Sequence, residues 1–367
     1  IAGVRNAQTS GASLVSFNQD SFESYGKKQS LNAPVGEAAA FRYVTALNNL
    51  LSFSSRRKIQ IGDATTVFWS ERDTPVEGYF GMVFGSGEDA ADTADLRRYL
   101  ESVREGRMPA ELDPDARFYV LGLSPNASRL SVRFWYAGTA EDISRRLGQH
   151  FEDLRIVRRF ETEREYPSVQ WLLRETAVLR KDDNLPPLLA GAVMRAVLTG
   201  GDYPRSLLIA VIRRLRAGED VSYYRAALLK ACLVRHARIQ HTNLEVTMSL
   251  DPANPSVAYR LGRLFAALEK VQQDAINNPN ATIRDRYFGS ASAPPRIVFP
   301  QLLRLAQHHI QKAAYGGATE RRIEEILEGI QEFPAHLSLE DQGLFAIGYY
   351  HQRQAFFQKK TDKNEEE

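Results

Sequence analysis

Two hydrophobic periods divide this chain. Up to about residue 160, β-branched and aromatic runs that alternate with polar residues are interleaved with alanine- and leucine-rich runs; from about residue 185 the period is helical. In the first part "ASLVSF" predicts a strand over 13–17. "VGEAAAFRYVTALNNLLSF" predicts a helix that starts near Pro34, since proline is tolerated in a first turn. "KIQIGDATTVFW" alternates and predicts one core strand, with Ile59, Ile61, Val67 and Trp69 on one face and a bulge at Gly62 and Asp63. "RFYVLGL" and "RLSVRFWYAG" predict a hairpin turning through residues 124–128. Thr139, with Asp142 three residues on, predicts a helix start. Strands interleaved with helices and including a hairpin predict an α+β domain over 1–160, with a mixed or antiparallel sheet.

The second part reads as all-α. Residues 161–184 form a charged connector, and 185–247 a basic helical segment. Within that segment one helix stops at Gly200, and another runs from Pro204 to just before Gly218. The second carries Leu207, Leu208, Val211, Ile212 and Leu215 as one stripe. After a turn-rich break, residues 248–367 hold four predicted helices, over about 256–276, 298–314, 319–332 and 338–358. The last has a capping-box-like start at Ser338 and Asp341. Short connections make these four a bundle. The end, "KKTDKNEEE", reads as a frayed tail.

Composition narrows the function classes. A chain of 367 residues exceeds one ordinary core. With 43% hydrophobic and 25% charged residues it is globular, and no run reaches the roughly 20 apolar residues of a membrane helix. The single cysteine, Cys232, rules out a disulfide framework within the chain and fits a reducing compartment. The opening "IAGVRNAQTSGASLVSFN" reads as mid-domain, and a strand at 13–17 needs partners, so an N-terminal portion is expected to precede it.

Known catalytic signatures are missing: no GxxxxGK[ST], HExxH, GxSxG or CxxC occurs. "FGSGED" has too few glycines for a dinucleotide fingerprint and leads into an acidic segment. His308 and His309 are adjacent, about 100° apart on a helix, and cannot ligate one metal as an i, i+4 pair does. Asp63 lacks a second carboxylate at fixed spacing, which leaves a metal-dependent nuclease as an alternative without a visible partner residue. No cofactor is expected.

The cations say more. Net charge is only +2, yet residues 195–238 hold nine cations (Arg195, Arg205, Arg213, Arg214, Arg216, Arg225, Lys230, Arg235, Arg238) against three anions, a local excess of six. Arg205, Arg213 and Arg216 fall within about 80° of each other, beside the apolar stripe. That geometry aims guanidiniums at phosphates while the helix sits on a core. In the bundle, Arg304, His308 and Lys312 are spaced i, i+4, i+8, and Arg260 and Arg263 share a face. The polar loop at 27–32 offers Lys27, Lys28, Gln29 and Asn32 to a groove edge. Arg56, Arg57 and Lys58 lie in a loop ahead of a strand. Solvated faces with internal ion pairs, or a helical protein scaffold whose arginines meet partner carboxylates, are the competing readings.

Several long stretches resemble one family: "LVSFNQDSFESYGKKQSLNAPVGEAAAFRYVTALNNLL", "KIQIGDATTVFW", "RFYVLGLSPNASRLSVRFW", "LPPLLAGAVMRAVLTGGDYPRSLL" and "LEDQGLFAIGYYHQRQAFF". They are similar to the C-terminal portion of the large subunit of the type I-C CRISPR surveillance complex, Cascade, over about residues 14–357. The resemblance implies a non-catalytic subunit in a prokaryotic cytoplasm. Its implied partners are guide RNA, target DNA, the repeated backbone subunit, the guide-processing subunit, the small subunit and a separate helicase–nuclease. It also implies roles in recognising the protospacer-adjacent motif, opening the duplex and stabilising the R-loop. Guide pairing then reads the sequence, and protein reads motif and shape, a division of labour described for another effector class. "TMSLDPANPSVAYRLGRLF" resembles the internal start from which such systems make their small subunit, which makes Met248 a candidate start.

Overall fold

In the computed structural model, residues 1–85, 93–107, 109, 112–186, 188–276, 281–313 and 316–361 are described. The predicted glycine–aspartate loop at 86–92 and the tail beyond residue 361 lie outside the described residues. Two compact units result. The first comprises residues 1–149, 166–173 and 185–201, and the second 150–165, 174–184 and 202–367.

The first unit is built on a four-stranded antiparallel sheet, β1 (Lys58–Ile61), β2 (Ala64–Ser70), β3 (Arg117–Asn126) and β4 (Arg129–Thr139), in sequential order. The one strand predicted over "KIQIGDATTVFW" is two. Gly62 and Asp63 form the turn between them and not a bulge, with Gly62 at φ 57°, where only glycine is unstrained. The turn reverses the face assignment. Ile59 pairs with Thr66 and Ile61 with Ala64, so these isoleucines lie opposite Val67 and Trp69. The register irregularity sits instead at Gly122 and Leu123, where a Cβ on Gly122 would collide with the Phe134 ring. The β3–β4 turn is tighter than predicted, with only Ala127 and Ser128 between the strands. The strand expected at 13–17 is reduced to one parallel bridge from Ser13 to Arg129.

Both faces of the sheet carry packing, densest over β2 and β3, while β4 leaves Val132 and Trp135 half-exposed. One face buries Phe68 and Phe118 against Phe80 of α2 (Val76–Phe84). The other packs Val67 and Leu123 against Leu47 of α1 (Glu37–Leu50) and against Leu51, Val4 and Ala12. Helices α3 (Ala94–Arg104), α4 (Ala140–Leu154), α5 (Val169–Arg174) and α6 (Leu189–Thr199) follow. Thr139 and Asp142 exchange hydrogen bonds at the start of α4, as predicted, and Gly200 ends α6 in the left-handed conformation. The connector at 161–184 is not solvated throughout, because Val169, Leu172 and Leu173 of α5 are buried.

The second unit holds α7 (Arg205–Arg216), α8 (Tyr223–Ile239), α9 (Val257–Ala275), α10 (Ile283–Ala291), α11 (Pro295–Ile310), α12 (Gly316–Leu327) and α13 (Leu339–Thr361). Four of these are the predicted bundle. The fifth, α10, is a nine-residue helix started by a Thr282–Asp285 capping box. The core of the unit is the crossing of α9 and α13. A Cβ on Gly262 would strike the Phe345 carbonyl, and one on Gly348 the Tyr259 carbonyl. Two glycines thus let the backbones touch, and Phe265, Phe288, Phe345 and Tyr349 close around them with centroids 5.3–5.8 Å apart. Ser338 and Asp341 cap α13 reciprocally, as predicted.

Candidate nucleic-acid interface

The basic segment separates by burial. Helix α7 turns Leu207, Leu208, Val211, Ile212 and Leu215 inward, onto α8, α10 and α13. Its amphipathic period leaves Arg205, Arg213 and Arg216 outward and exposed. Among the described residues Arg213 and Arg216 form no ion pair, whereas Arg205 meets Glu340 at 3.1 Å. Arg214 points elsewhere, to Glu219 at 3.4 Å.

Helix α8 is buried almost all round, so its cations are structural. Arg235 is fully buried. It donates to Asp153 at 2.6 Å and lies over the Tyr203 ring at 4.2 Å. Arg238 completes the pairing of Asp153, and the Lys230 ammonium donates to the Asp153 backbone carbonyl at 3.3 Å. Burial holds the Lys230 pKa below the ordinary lysine value. Arg225 is taken by Glu175, Glu219 and the Asp220 carbonyl. Lys230 and Arg235 are therefore corrected from interface to core, because a buried cation must be matched internally. The same holds for α9: Arg263 is buried and donates to Gln352 and the Pro252 carbonyl, and Arg260 donates to the Asn254 and Gly329 carbonyls.

The predicted stripe is exposed, although α11 ends at Ile310 and Lys312 lies in the turn after it. Arg304, His308 and Lys312 face solvent, and neither Arg304 nor Lys312 has an ion pair among the described residues. Arg195 is in the first unit and donates to the Arg133 carbonyl.

A cleft of about 580 Å³ brings α7 and α10 together. Arg216 lines it with Arg284 and Arg286. Arg284 is held by Asp220 and Asp285, while Arg286 is exposed and has no ion pair among the described residues. Arg286 was missed because the pattern gave no helix at 283–291; "TIRDRYF", with its Thr–Asp cap spacing, is the signal that finds it.

In the first unit, Lys27, Lys28 and Gln29 are exposed in a turn with Gln29 at φ 45°. Lys28 has a loose partner, Glu23, at 3.9 Å. Asn32 is different. Its amide donates to the Lys27 and Gln29 carbonyls and accepts from the Ser24 amide and hydroxyl, so it ties the loop and is not free to read a groove. Of the three cations ahead of β1, Arg56 alone is exposed without an ion pair among the described residues. Arg57 pairs with Glu77 at 2.5 Å and Asp73 at 3.7 Å, and Lys58 is the first strand residue, donating to the Leu51 carbonyl. Asp63 is bound by Arg133 through two nitrogens, at 2.7 and 3.1 Å. Both contacts fall on one oxygen, Oδ2, of the carboxylate on which the nuclease alternative rests.

A family model described as CRISPR-associated protein (Cas_Csd1) matches residues 1–357. The chain belongs to the CRISPR-associated Csd1 family. The family is that of the type I-C large subunit, which agrees with the resemblance in the sequence. A search of curated proteins gave no match. No helix among the described residues is long and apolar enough to cross a membrane. No group of three or more histidine, cysteine, aspartate or glutamate side chains among them is placed to hold a metal ion.

Proposed function

We propose that this Csd1-family chain is a non-catalytic, nucleic-acid-binding Cascade subunit. It contributes to recognition of the protospacer-adjacent motif, duplex opening and R-loop stabilisation, and to recruitment of a separate helicase–nuclease. Its partners are guide RNA, target DNA and the other Cascade subunits. The observation that carries this reading is the set of exposed guanidiniums at Arg213, Arg216 and Arg286, which have no ion pair among the described residues and two of which line one cleft. A surface that holds cations without carboxylates to neutralise them attracts phosphates. Arg304 on α11 and Lys312 just past its end extend the same chemistry. Lys27, Lys28 and Gln29 are the motif-proximal contact in this reading. A segment starting at Met248 keeps all of α9–α13, so it has the helices that an independently translated small subunit needs.

Target-DNA binding by the assembled complex, measured against salt, tests the proposal. Replacing Arg213, Arg216 and Arg286 by alanine lowers the log–log salt slope by about 0.9 for each lost contact on duplex DNA. An unchanged slope overturns the phosphate role. In the same assay, Lys27→Ala with Lys28→Ala narrows the preference for motif-bearing DNA; an intact preference removes that loop from the reading.

A further inference from the structure

The first unit carries a cleft beside the Arg56–Arg57 loop, with apolar walls that the cation pattern does not show. It is about 1000 Å³, at the upper end of the roughly 300–1,000 Å³ of small-molecule sites, and lies between α1 and the open end of the sheet. Trp69 and Trp135 line one wall, where they cluster with Tyr119. Trp69 stacks on Tyr119 with centroids 5.4 Å apart and planes at 22°, and Tyr119 on Trp135 at 5.9 Å and 28°. Trp69 and Trp135 are themselves 5.8 Å apart with planes at 49°, so the three rings form a triangle, and Trp135 is 54% exposed. A tryptophan with that much free surface leaves part of its ring open to a ligand.

The polar part of the cleft is selective in charge. Arg56 and Arg57 line it, together with Ser52, Ser54 and Asn49, and among the described residues no aspartate or glutamate does. Arg57 is committed to Glu77, so Arg56 supplies the free positive charge. Phe53, fully exposed, stands in the same rim segment. A flat ring surface beside an unmatched guanidinium fits a ligand that is planar and aromatic at one end and anionic at the other. An apolar helix would leave Arg56 unmatched, and an acidic peptide would leave the π face bare.

We propose that this cleft takes an unpaired nucleotide of single-stranded DNA, its base stacked on Trp135 and its phosphate held by Arg56. The choice of DNA rests on the functional reading above, since a subunit that helps to open a duplex meets unpaired DNA bases. Stacking tolerates any base, so the cleft holds an opened strand without reading its sequence.

The test uses the full chain and an eight-nucleotide oligo-dT, followed by anisotropy and by tryptophan fluorescence. Oligo-dT quenches the wild type. Trp135→Ala binds about tenfold more weakly and loses most of the quench. Trp135→Phe, which keeps an aromatic face, recovers most of the affinity, and Arg56→Ala lowers the salt dependence. Trp135→Ala loses its ring contacts with Tyr119 and Trp69 and melts lower than the wild type, so its fold is checked by circular dichroism at the binding temperature, where it keeps the wild-type spectrum. Equal oligo-dT affinity for Trp135→Ala and wild type overturns the site, as does tighter binding of oligo-U than oligo-dT. If Trp135→Ala leaves oligo-dT binding intact but releases another Cascade subunit from the complex, the cleft is a protein dock and the proposal falls. The two readings fail separately: duplex binding with no effect at Trp135 removes this cleft alone. A wild-type complex that binds no DNA removes the functional reading.

Discussion

Helices α7 and α8 follow one another, both rich in cations, and use them oppositely. On α7 the apolar residues fall on one stripe, so Arg213 and Arg216 remain at the surface without carboxylate partners among the described residues. On α8 twelve of the seventeen residues are buried, and Arg225, Lys230 and Arg235 go in with them. Charge density along the sequence is similar, and the apolar period decides the outcome. A cation beside a stripe is available to a ligand, and a cation inside a buried helix has to be neutralised by its own protein.

The sharpest way to break this contrast is to remove a cation from each helix. Arg235→Ala removes one of the guanidiniums paired with Asp153, which is only 2% exposed, and empties the space over the Tyr203 ring. The expected loss is about 3–5 kcal/mol of folding stability, read by denaturant unfolding. Arg213→Ala, on the outward face of α7, is expected to change stability by less than about 0.5 kcal/mol. Equal losses for the two variants would erase the distinction between structural and surface arginines.

The same distinction marks what the sequence made legible. Caps and stops were readable because they are local: Thr139 with Asp142, Ser338 with Asp341 and Gly200 all act within a few residues. The stripe on α7 was readable from its period. The burial of Arg235 was not, since Asp153 lies 82 residues away in sequence and nothing local announces the pairing. Nor was the fate of Asn32, a residue whose amide serves groove-reading and loop-tying equally well. "KIQIGDATTVFW" misled because alternation is preserved through a two-residue turn, while the face it implies is inverted. The cluster of Trp69, Tyr119 and Trp135 needs the β2–β3–β4 register, which no single stretch contains.

A second consequence of burial is acid sensitivity in the second unit. Burial and the nearby Arg235 hold the His150 pKa down to about 3, and burial with Lys230 does the same for His351. Above about pH 6.5 both histidines are neutral whether folded or unfolded, and they contribute no pH dependence. Between about 6.5 and 3 the unfolded chain binds protons that the folded chain refuses, so stability falls with falling pH. Each histidine contributes about 1.4 kcal/mol per pH unit over that window. Glu269 opposes this, since burial raises its pKa and the folded state takes its proton first. Unfolding of His150→Gln, followed from pH 7 to 4, is expected to show a slope shallower by about one proton. An unaltered slope would mean that His150 is already charged in the fold.

Arg205 sets the lower limit of the contrast. It shares α7's outward face with Arg213 and Arg216, yet it has a carboxylate, Glu340, at 3.1 Å. Its side chain is 70% exposed, and a pair in that setting is screened by water and salt. Arg205→Ala is expected to shift stability by about 0–1 kcal/mol in the same unfolding assay. Its effect on the salt slope of DNA binding is expected to be smaller than that of Arg213→Ala, because Glu340 must release the guanidinium before a phosphate can take it. A slope change as large as that of Arg213→Ala would show that this exposed ion pair does not hold its arginine back. Exposure alone, and not the absence of a partner, would then define the binding face.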